Sequence, residues 1–403
     1  MPPAPSRRLS RRGPGIVNPS LEAASAALDA LGHPEQAYPS ILVLGTNGKG
    51  STAAMLSAVL EAHGAAAGLY TSPHLVRVEE RIRIRSRDVD PEALDAALTR
   101  LDSFPDLSYF ETLTVAALDL FARRGVAIAV LEAGMGGRWD ATRLAGPAVA
   151  GLTNVGTDHA RWLGPDRESI AAEKGAALAS VPTAVLGPQV DPAVVPALGA
   201  PGAIPAAGLV AFRSVDGETV EADWGDGPVT LRCPLPGRHQ HANLHLALAL
   251  HAAAALAGIA PSPETDAVRD GLARTRWPGR FDTVTVDGRT VLLDGAHNAE
   301  AAAALATALA GLGVRPSLIF SCLDDKPAAA MIETLRPVVG RIVLVELDDP
   351  RAMPMASLRE AAPDAVIAPD LPSALELAGD PAAAAGSLRL VGAILEYAGC
   401  GTP

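Results

Sequence analysis

A short apolar run at 41–44 gives way at once to Gly45-Thr46-Asn47-Gly48-Lys49-Gly50-Ser51, and beyond it Met55, Leu56, Val59 and Leu60 recur at helical spacing up to Gly64. Strand, glycine-rich turn and helix in that order restrict the chain to an α/β fold that opens on a phosphate-cradling loop. Successive backbone N–H groups in such a loop point at one spot, at the positive end of the helix dipole. Lys49 adds a compact cation able to follow the β- and γ-phosphates. The common form of this loop has a glycine five residues before Gly48, where this chain has Val43, and Gly50 stands where Ser or Thr usually follows the lysine. A turn without a ligand is the plain alternative, but the strand–loop–helix context with Lys49 favours nucleotide binding.

The pattern continues. The spacing predicts an amphipathic helix over 109–124 closed by Gly125, buried strands at 126–131 and 148–153, and a helix over 167–180. Strands alternating with helices imply a doubly wound, mostly parallel sheet whose ligands gather at the carboxyl ends of its strands. Residues 205–235 alternate with Asp-Gly turns and predict an antiparallel insert. Arg-Trp-Pro-Gly-Arg at 276–280 reads as a domain junction. Runs at 290–293, 317–320 and 341–345 then alternate with Ala-rich helices, as in a second, smaller α/β domain without a phosphate loop. The 403 residues therefore divide into an ATP-binding domain at 1–276 and a C-terminal domain at 280–403.

A formal net charge of −12 argues against a reader of the phosphate backbone of nucleic acids. No window approaches the length of a membrane span, and Arg7, Arg8, Arg11 and Arg12 have no apolar stretch behind them, so no membrane role or secretory signal is expected. Cys233, Cys322 and Cys400 are too scattered for a disulfide framework or a zinc site, which fits a reduced, cytoplasmic protein. Of the 33 basic residues only Lys49, Lys174 and Lys326 are lysine. In a chain that uses arginine wherever a cation serves, the lysines that remain are candidates for work a guanidinium cannot do.

Several polar residues sit at expected strand ends. Glu132, followed by Ala-Gly-Met-Gly-Gly-Arg, could hold Mg²⁺ facing the loop. Ser72 could offer a hydroxyl, or could be a plain Ser-Pro turn. His159 is by hardness an unusual Mg²⁺ ligand. Arg81, Arg83, Arg85 and Arg87 alternate along one strand face, most simply a solvated edge. Asp294, His297 and Asn298 cluster at a turn, and Arg280 at the junction is placed to reach a phosphate in an interdomain cleft.

The runs at 45–51, 71–75, 109–111, 131–143, 153–164 and 294–298 resemble, in order and spacing, the folylpolyglutamate synthase/dihydrofolate synthase family, ATP-dependent amide-forming ligases related to the Mur ligases of cell-wall synthesis. The most specific part is the phosphate loop together with Gly134-x-Gly-Gly-Arg-x-Asp-Ala-Thr. The resemblance implies a P-loop-containing Mur-ligase-like central domain followed by a smaller Rossmann-like α/β domain. It implies Mg²⁺ ligands at Ser72, Glu132, His159 and Lys174, the last as a carbamate, which arginine cannot become. It implies a pterin or substrate surface at Ser108, Tyr109, Phe110, Glu111, Trp139, Asp140 and Ala141, with His297 also on the substrate. It implies ATP contacts at Asn47, Gly48, Lys49, Gly50, Ser51, Asn243, Arg280 and Asp294, and catalytic roles for Lys49, His159 and Lys174. The family's C-terminal strand is matched by Gly386-Ser387-Leu388 with Val391-Gly392. The chain departs from the family at Leu42-Val43-Leu44, at Gly175-Ala176-Ala177 and at Asp325-Lys326-Pro327.

What the resemblance implies is an enzyme of folate biosynthesis and one-carbon metabolism. It would add L-glutamate to dihydropteroate, to reduced folates or to both through an acyl phosphate, using ATP and two Mg²⁺ ions as a monomer. A Mur-type amino-acid ligase of cell-wall synthesis is the alternative, but those usually carry an extra N-terminal domain to hold a nucleotide sugar, for which the phosphate loop at Gly45 leaves no room. A P-loop ATPase without ligase chemistry would have no need of Lys174 or Asp294.

Overall fold

The computed structural model describes residues 8–9 and 19–399, which divide into two units. Cys400 and Arg7, Arg11 and Arg12 lie outside the described residues. The first unit takes in residues up to Pro73, Arg77–Pro234 and Gln240–Thr275; the second takes in His74–Val76, Leu235–His239 and the chain from Arg276.

The first unit is built on an eight-stranded sheet of β1 (Ser40–Leu44), β2 (Ala67–Tyr70), β3 (Ile82–Ile84), β4 (Arg87–Asp88), β5 (Ile128–Glu132), β6 (Val149–Leu152), β7 (Thr183–Leu186) and β8 (Ile204–Pro205), in the order β4-β3-β2-β5-β1-β6-β7-β8. From β2 to β8 the neighbours run parallel, while β3 and β4 are antiparallel additions at one edge. All five residues of β1 and of β5 are buried, as continuous apolar strands covered on both faces must be. Strands β1 and β6 follow each other in the sheet although β2 to β5 lie on the far side of β1, so the order reverses at the carboxyl end of β1. That switch point is where doubly wound sheets bind ligands.

Strands β9 (Ala211–Ser214), β10 (Thr219–Asp223) and β11 (Val229–Arg232) form the antiparallel insert, ordered β11-β10-β9, with Val220, Ala222 and Leu231 as its buried face. Helix Arg238–Leu256 follows.

The second unit has a six-stranded sheet of β12 (Arg280–Val286), β13 (Arg289–Asp294), β14 (Ser317–Phe320), β15 (Ile342–Leu344), β16 (Val366–Ile367) and β17 (Ala382–Ala385), ordered β12-β13-β17-β14-β15-β16. Only β12 is antiparallel. Separate apolar clusters, one around Phe320 and Met331 and one around Leu390 and Ile394, cover its two faces. Both units are thus mixed α/β with mostly parallel sheets.

Three local expectations are corrected. The C-terminal strand is Ala382–Ala385, not the run after it; Ser387 caps helix Leu388–Tyr397, its Oγ accepting from the Arg389 N–H at 3.0 Å. Strand β12 starts inside the junction and was not expected. The arginine row is not one solvated edge: Arg81 and Arg83 are buried, Arg83 Nε donates to Asp88 at 2.9 Å, and β3 lies between β2 and β4.

Candidate active site

The chain leaves β1 through Gly45 and Gly48, both at positive φ (145° and 83°), and Gly48 caps helix Lys49–Ala62. Only glycine fits these positions. A Cβ on Gly45 would lie 1.8 Å from Thr153 Oγ1, and one on Gly48 would lie 2.2 Å from Asn243 Oδ1. The first-turn N–H groups of Lys49, Gly50 and Ser51 have no partner within the helix and point outward from its positive end. Lys49 Nζ donates to the Thr46 carbonyl at 3.1 Å and so folds back over the loop.

The loop is braced from the strand beside it, which the sequence reading missed. Asn154 Oδ1 accepts from the N–H groups of Thr46 (3.3 Å) and Asn47 (3.0 Å), and Asn154 Nδ2 donates to the Asn47 carbonyl (3.2 Å). Thr153 Oγ1 donates to the same carbonyl at 2.6 Å, and Thr46 Oγ1 accepts from the Gly156 N–H at 2.9 Å. The available signal was a Thr-Asn pair leaving a buried strand adjacent to β1.

Glu132 ends β5 beside Val43 of β1 and is buried. Its Oε2 accepts from the Ser72 N–H at 3.0 Å, so the carboxyl ends of β2 and β5 bring Ser72 and Glu132 together. After Glu132 the Gly-rich turn is clipped by Asp140. Its Oδ2 accepts from Gly134 N–H (2.8 Å) and Met135 N–H (3.1 Å), and its Oδ1 from Thr142 N–H (3.0 Å) and Thr142 Oγ1 (2.5 Å). Burial pushes the Asp140 carboxyl up, while these four bonds pull it down. The carboxylate expected on the substrate is engaged by its own loop. Gly137 sits so close to helix Arg167–Leu178 that a Cβ would lie 2.8 Å from the Glu173 carbonyl and 2.9 Å from that of Lys174.

Lys174 is buried, and its Nζ donates to the Gly45 carbonyl at 2.8 Å. Burial, with Lys49 nearby, depresses its ammonium to about 7 against the opposing pull of Asp158 and Asp140. His159 follows Asp158 at positive φ (54°), and the Asp158 carboxylate accepts its N–H at 2.8 Å. Among the described residues no three His, Cys, Asp or Glu side chains gather as a metal cluster. The donor set nonetheless fits Mg²⁺: a buried carboxylate beside a hydroxyl supplies hard oxygen, and Mg²⁺ commonly takes one or two carboxylates and completes its shell with phosphate oxygens and water.

Ser108 and Glu111 form a capping box on helix Tyr109–Arg123: Ser108 Oγ accepts from the Glu111 N–H (3.2 Å) and Glu111 Oε2 from the Ser108 N–H (2.8 Å). Glu111 Oε1 stays buried without a hydrogen bond. Tyr109 and Phe110 are half-buried; Arg81 lies over the Tyr109 ring at 5.3 Å and Tyr70 packs 6.0 Å from Phe110. Trp139 is exposed and Ala141 buried.

Asn243 stands on helix Arg238–Leu256 with Nδ2 donating to Gln240 (2.8 Å). In the second unit Asp294 ends β13, its Oδ2 accepting from Phe281 N–H and its Oδ1 from Ala296 N–H, both at 2.9 Å. Arg280 opposes it in the ladder at a bulge, where Phe281 takes a φ of 52°. Burial raises the Asp294 carboxyl, and Arg280 opposes that most. His297 is half-buried, its Nδ1 2.7 Å from the Gly295 carbonyl, and Asn298 caps helix Ala299–Ala310.

Residues 43–187 match the Mur ligase middle domain and residues 279–393 the Mur ligase glutamate ligase domain. The dihydrofolate synthase/folylpolyglutamate synthase of Mycobacterium tuberculosis is 35% identical over 390 residues, covering 88% of this chain and 80% of its own. An Escherichia coli relative solved with DHPP and ADP superimposes with a TM-score of 0.86 at 30% identity, over 98% of this chain and 97% of that one. A bifunctional folylpolyglutamate synthase/dihydrofolate synthase from Yersinia pestis, solved with AMPPNP and a Mn ion, gives 0.85 at 28% identity over 98% of each chain. With the phosphate loop, the paired Ser72 and Glu132, and relatives matched over most of their length, the chain belongs to the folylpolyglutamate synthase/dihydrofolate synthase family of Mur ligases.

Proposed function

We propose that this chain is an ATP-dependent ligase that joins L-glutamate to dihydropteroate and to reduced folates. The observation that carries the reading furthest is the buried Lys174 amine at the root of the phosphate loop, 2.8 Å from the Gly45 carbonyl. A switch or simple ATPase has no use for a buried lysine there, its ammonium depressed by burial to about 7. Placed at that point, the amine can add to CO₂, lose a proton and become an anionic oxygen ligand.

Amide formation from a free carboxylate is uphill in water, so the carboxylate is first activated. Its oxygen attacks the γ-phosphorus of ATP, ADP leaves, and an acyl phosphate remains. The amine of glutamate adds to that carbonyl, the tetrahedral intermediate loses a proton from nitrogen, and inorganic phosphate departs. The protein positions the reactants and stabilises charge. The first-turn N–H groups after Gly48 and the Lys49 ammonium hold the phosphates, with Asn47 and Asn243 on the nucleotide. Arg280 and Asp294 are assigned to the nucleotide, and His297 to the substrate. Ser108, Tyr109, Phe110, Glu111, Trp139 and Ala141 line the pterin surface, with Asp140 shaping the turn beneath it.

Ser72 and Glu132 would hold one magnesium ion, and His159 with carbamylated Lys174 a second. Such ions supply positive charge to the transferring phosphoryl group and the developing oxyanion. The reading takes the chain as a monomer of the reducing cytoplasm. No helix among the described residues is long and apolar enough to cross a membrane.

The test is ADP release and product mass with ATP, glutamate and either dihydropteroate or tetrahydrofolate. Turnover with either acid, dependent on glutamate, is expected; ATP hydrolysis indifferent to glutamate refutes the ligase. In Lys174→Ala, ligation should fall at least about a hundredfold while ATP still binds. A ¹³C carbamate resonance from labelled bicarbonate should appear in the wild type and not in the variant.

A further inference from the structure

At the amino ends of β1 and β6 the first unit has a cleft of about 450 Å³ that takes no part in the nucleotide or substrate assignments. One wall is residues 35–39, the 3₁₀ turn Pro34–Ala37 and the Tyr38-Pro39 pair that leads into β1. The other is residues 144–146, where the 3₁₀ stretch Ala141–Ala145 ends at Gly146. Both walls are anchored. The Tyr38 hydroxyl turns inward and donates to the Leu118 carbonyl at 2.8 Å, and Ser40 Oγ donates to the Ala145 carbonyl at 3.3 Å. Nothing stands within 4 Å of where a Cβ on Gly146 would lie, so that side of the cleft is open.

Glu35 lines this cleft and is only 6% exposed. Its Oε1 lies 3.0 Å from His33 Nδ1, while Oε2 is buried with no hydrogen bond. Among the described residues His33 is its one ion-pair partner, and the same imidazole lies 3.6 Å from Asp29. An imidazole carries charge only when protonated, so neither carboxylate is paired with a permanent cation among the described residues. A buried carboxylate oxygen without a donor is unfavourable. The terminal torsion of a glutamate is broad, so a small turn presents Oε2 to the cleft while Oε1 keeps His33. Around it Ala37, Tyr38, Pro39, Leu144 and Ala145 supply apolar surface. One charged acceptor against such a wall suits an ammonium or guanidinium on a short carbon stem. A metal ion would want several oxygens, and no three acidic, His or Cys side chains gather among the described residues.

We propose that this cleft is a binding site for a small organic cation, an amine or guanidinium held by the Glu35 carboxylate. It is separate from the phosphate loop, which lies at the other end of the five residues of β1, about 16 Å away. Its walls nonetheless lead into both loops of the candidate active site. Pro39 runs into β1, and Ala141–Ala145 runs from Asp140, which clips the turn after β5. A cation bound there ties the roots of the two loops together and stabilises the first unit.

The test is calorimetric titration of the full chain with agmatine, without nucleotide and at constant ionic strength. One saturable site with a Kd of about 1 mM or tighter is expected, and n-butanol, a stem of the same length without charge, should give no isotherm. Glu35→Gln keeps the shape and removes the charge, and should weaken binding about tenfold or more. Ala37→Trp, at an exposed position on the wall, fills the cleft and leaves Glu35 in place. It should abolish binding, and it replaces the glutamine variant if that one does not fold. Agmatine should also raise the melting temperature of the wild type and not that of Ala37→Trp. No binding by the wild type at up to about 10 mM agmatine overturns the site. Unchanged affinity in a folded Glu35→Gln or Ala37→Trp variant also overturns it, by making agmatine a mere counterion of an acidic surface. With no ATP present, either failure leaves the ligase reading untouched.

Discussion

Asn154 braces the phosphate loop with both ends of its side-chain amide, accepting from two loop N–H groups and donating to the Asn47 carbonyl. It holds the loop shaped before any phosphate arrives, so its removal transfers the ordering cost to binding. Asn154→Ala should weaken ATP binding about tenfold by calorimetry, as expected from losing hydrogen bonds worth about 1 kcal/mol each. Asp140 plays the same part for the turn after β5. Asp140→Ala leaves Gly134 N–H, Met135 N–H and Thr142 without their acceptor, and should lower unfolding stability by about 2–4 kcal/mol in urea titrations. At Gly48 an alanine meets both a positive φ and the Asn243 side chain, so Gly48→Ala should abolish nucleotide binding.

At the scale of elements, strands with continuous apolar runs were legible, because a buried parallel strand has few other ways to read; β1, β5 and β6 lie within a residue or two of where the sequence put them. The loop and the Ser72 and Glu132 positions could be read because they follow such strands. Strand β17 could not: four alanines carry no β preference, and only flanking strands β13 and β14 make them a strand. The burial of Arg81 and Arg83 depends on the Tyr109 ring and Asp88, residues that local alternation does not reveal. The helix that begins in the loop ends against a buried imidazole of helix Arg238–Leu256. His63 caps it and packs edge-on, 4.6 Å away, against the ring of His251, whose imidazolium burial and the His63 charge depress to about 4 from 6.5. The unfolded chain therefore takes up a proton between about pH 6.5 and 4 that the folded chain refuses. Stability should fall as pH falls through that window, by up to about 3 kcal/mol, and His251→Gln should flatten the slope in denaturant midpoints.

For the whole molecule, each unit encloses its own apolar clusters, Phe121 within the first and Phe320 within the second. Truncating either to alanine should cost about 3–5 kcal/mol. We expect scanning calorimetry to show two transitions, Phe121→Ala lowering one and Phe320→Ala the other; a single transition shifted equally by both would mean one cooperative unit. Strand β1 lies mid-sheet, paired on both sides and buried along its whole length, whereas β4 and β8 at the rims have two residues each. Deuterium should accordingly enter the rim amides first and β1 last. A preparation partly opened by mild denaturant would then still capture ATP on an anchored loop after it had lost the ability to make the amide.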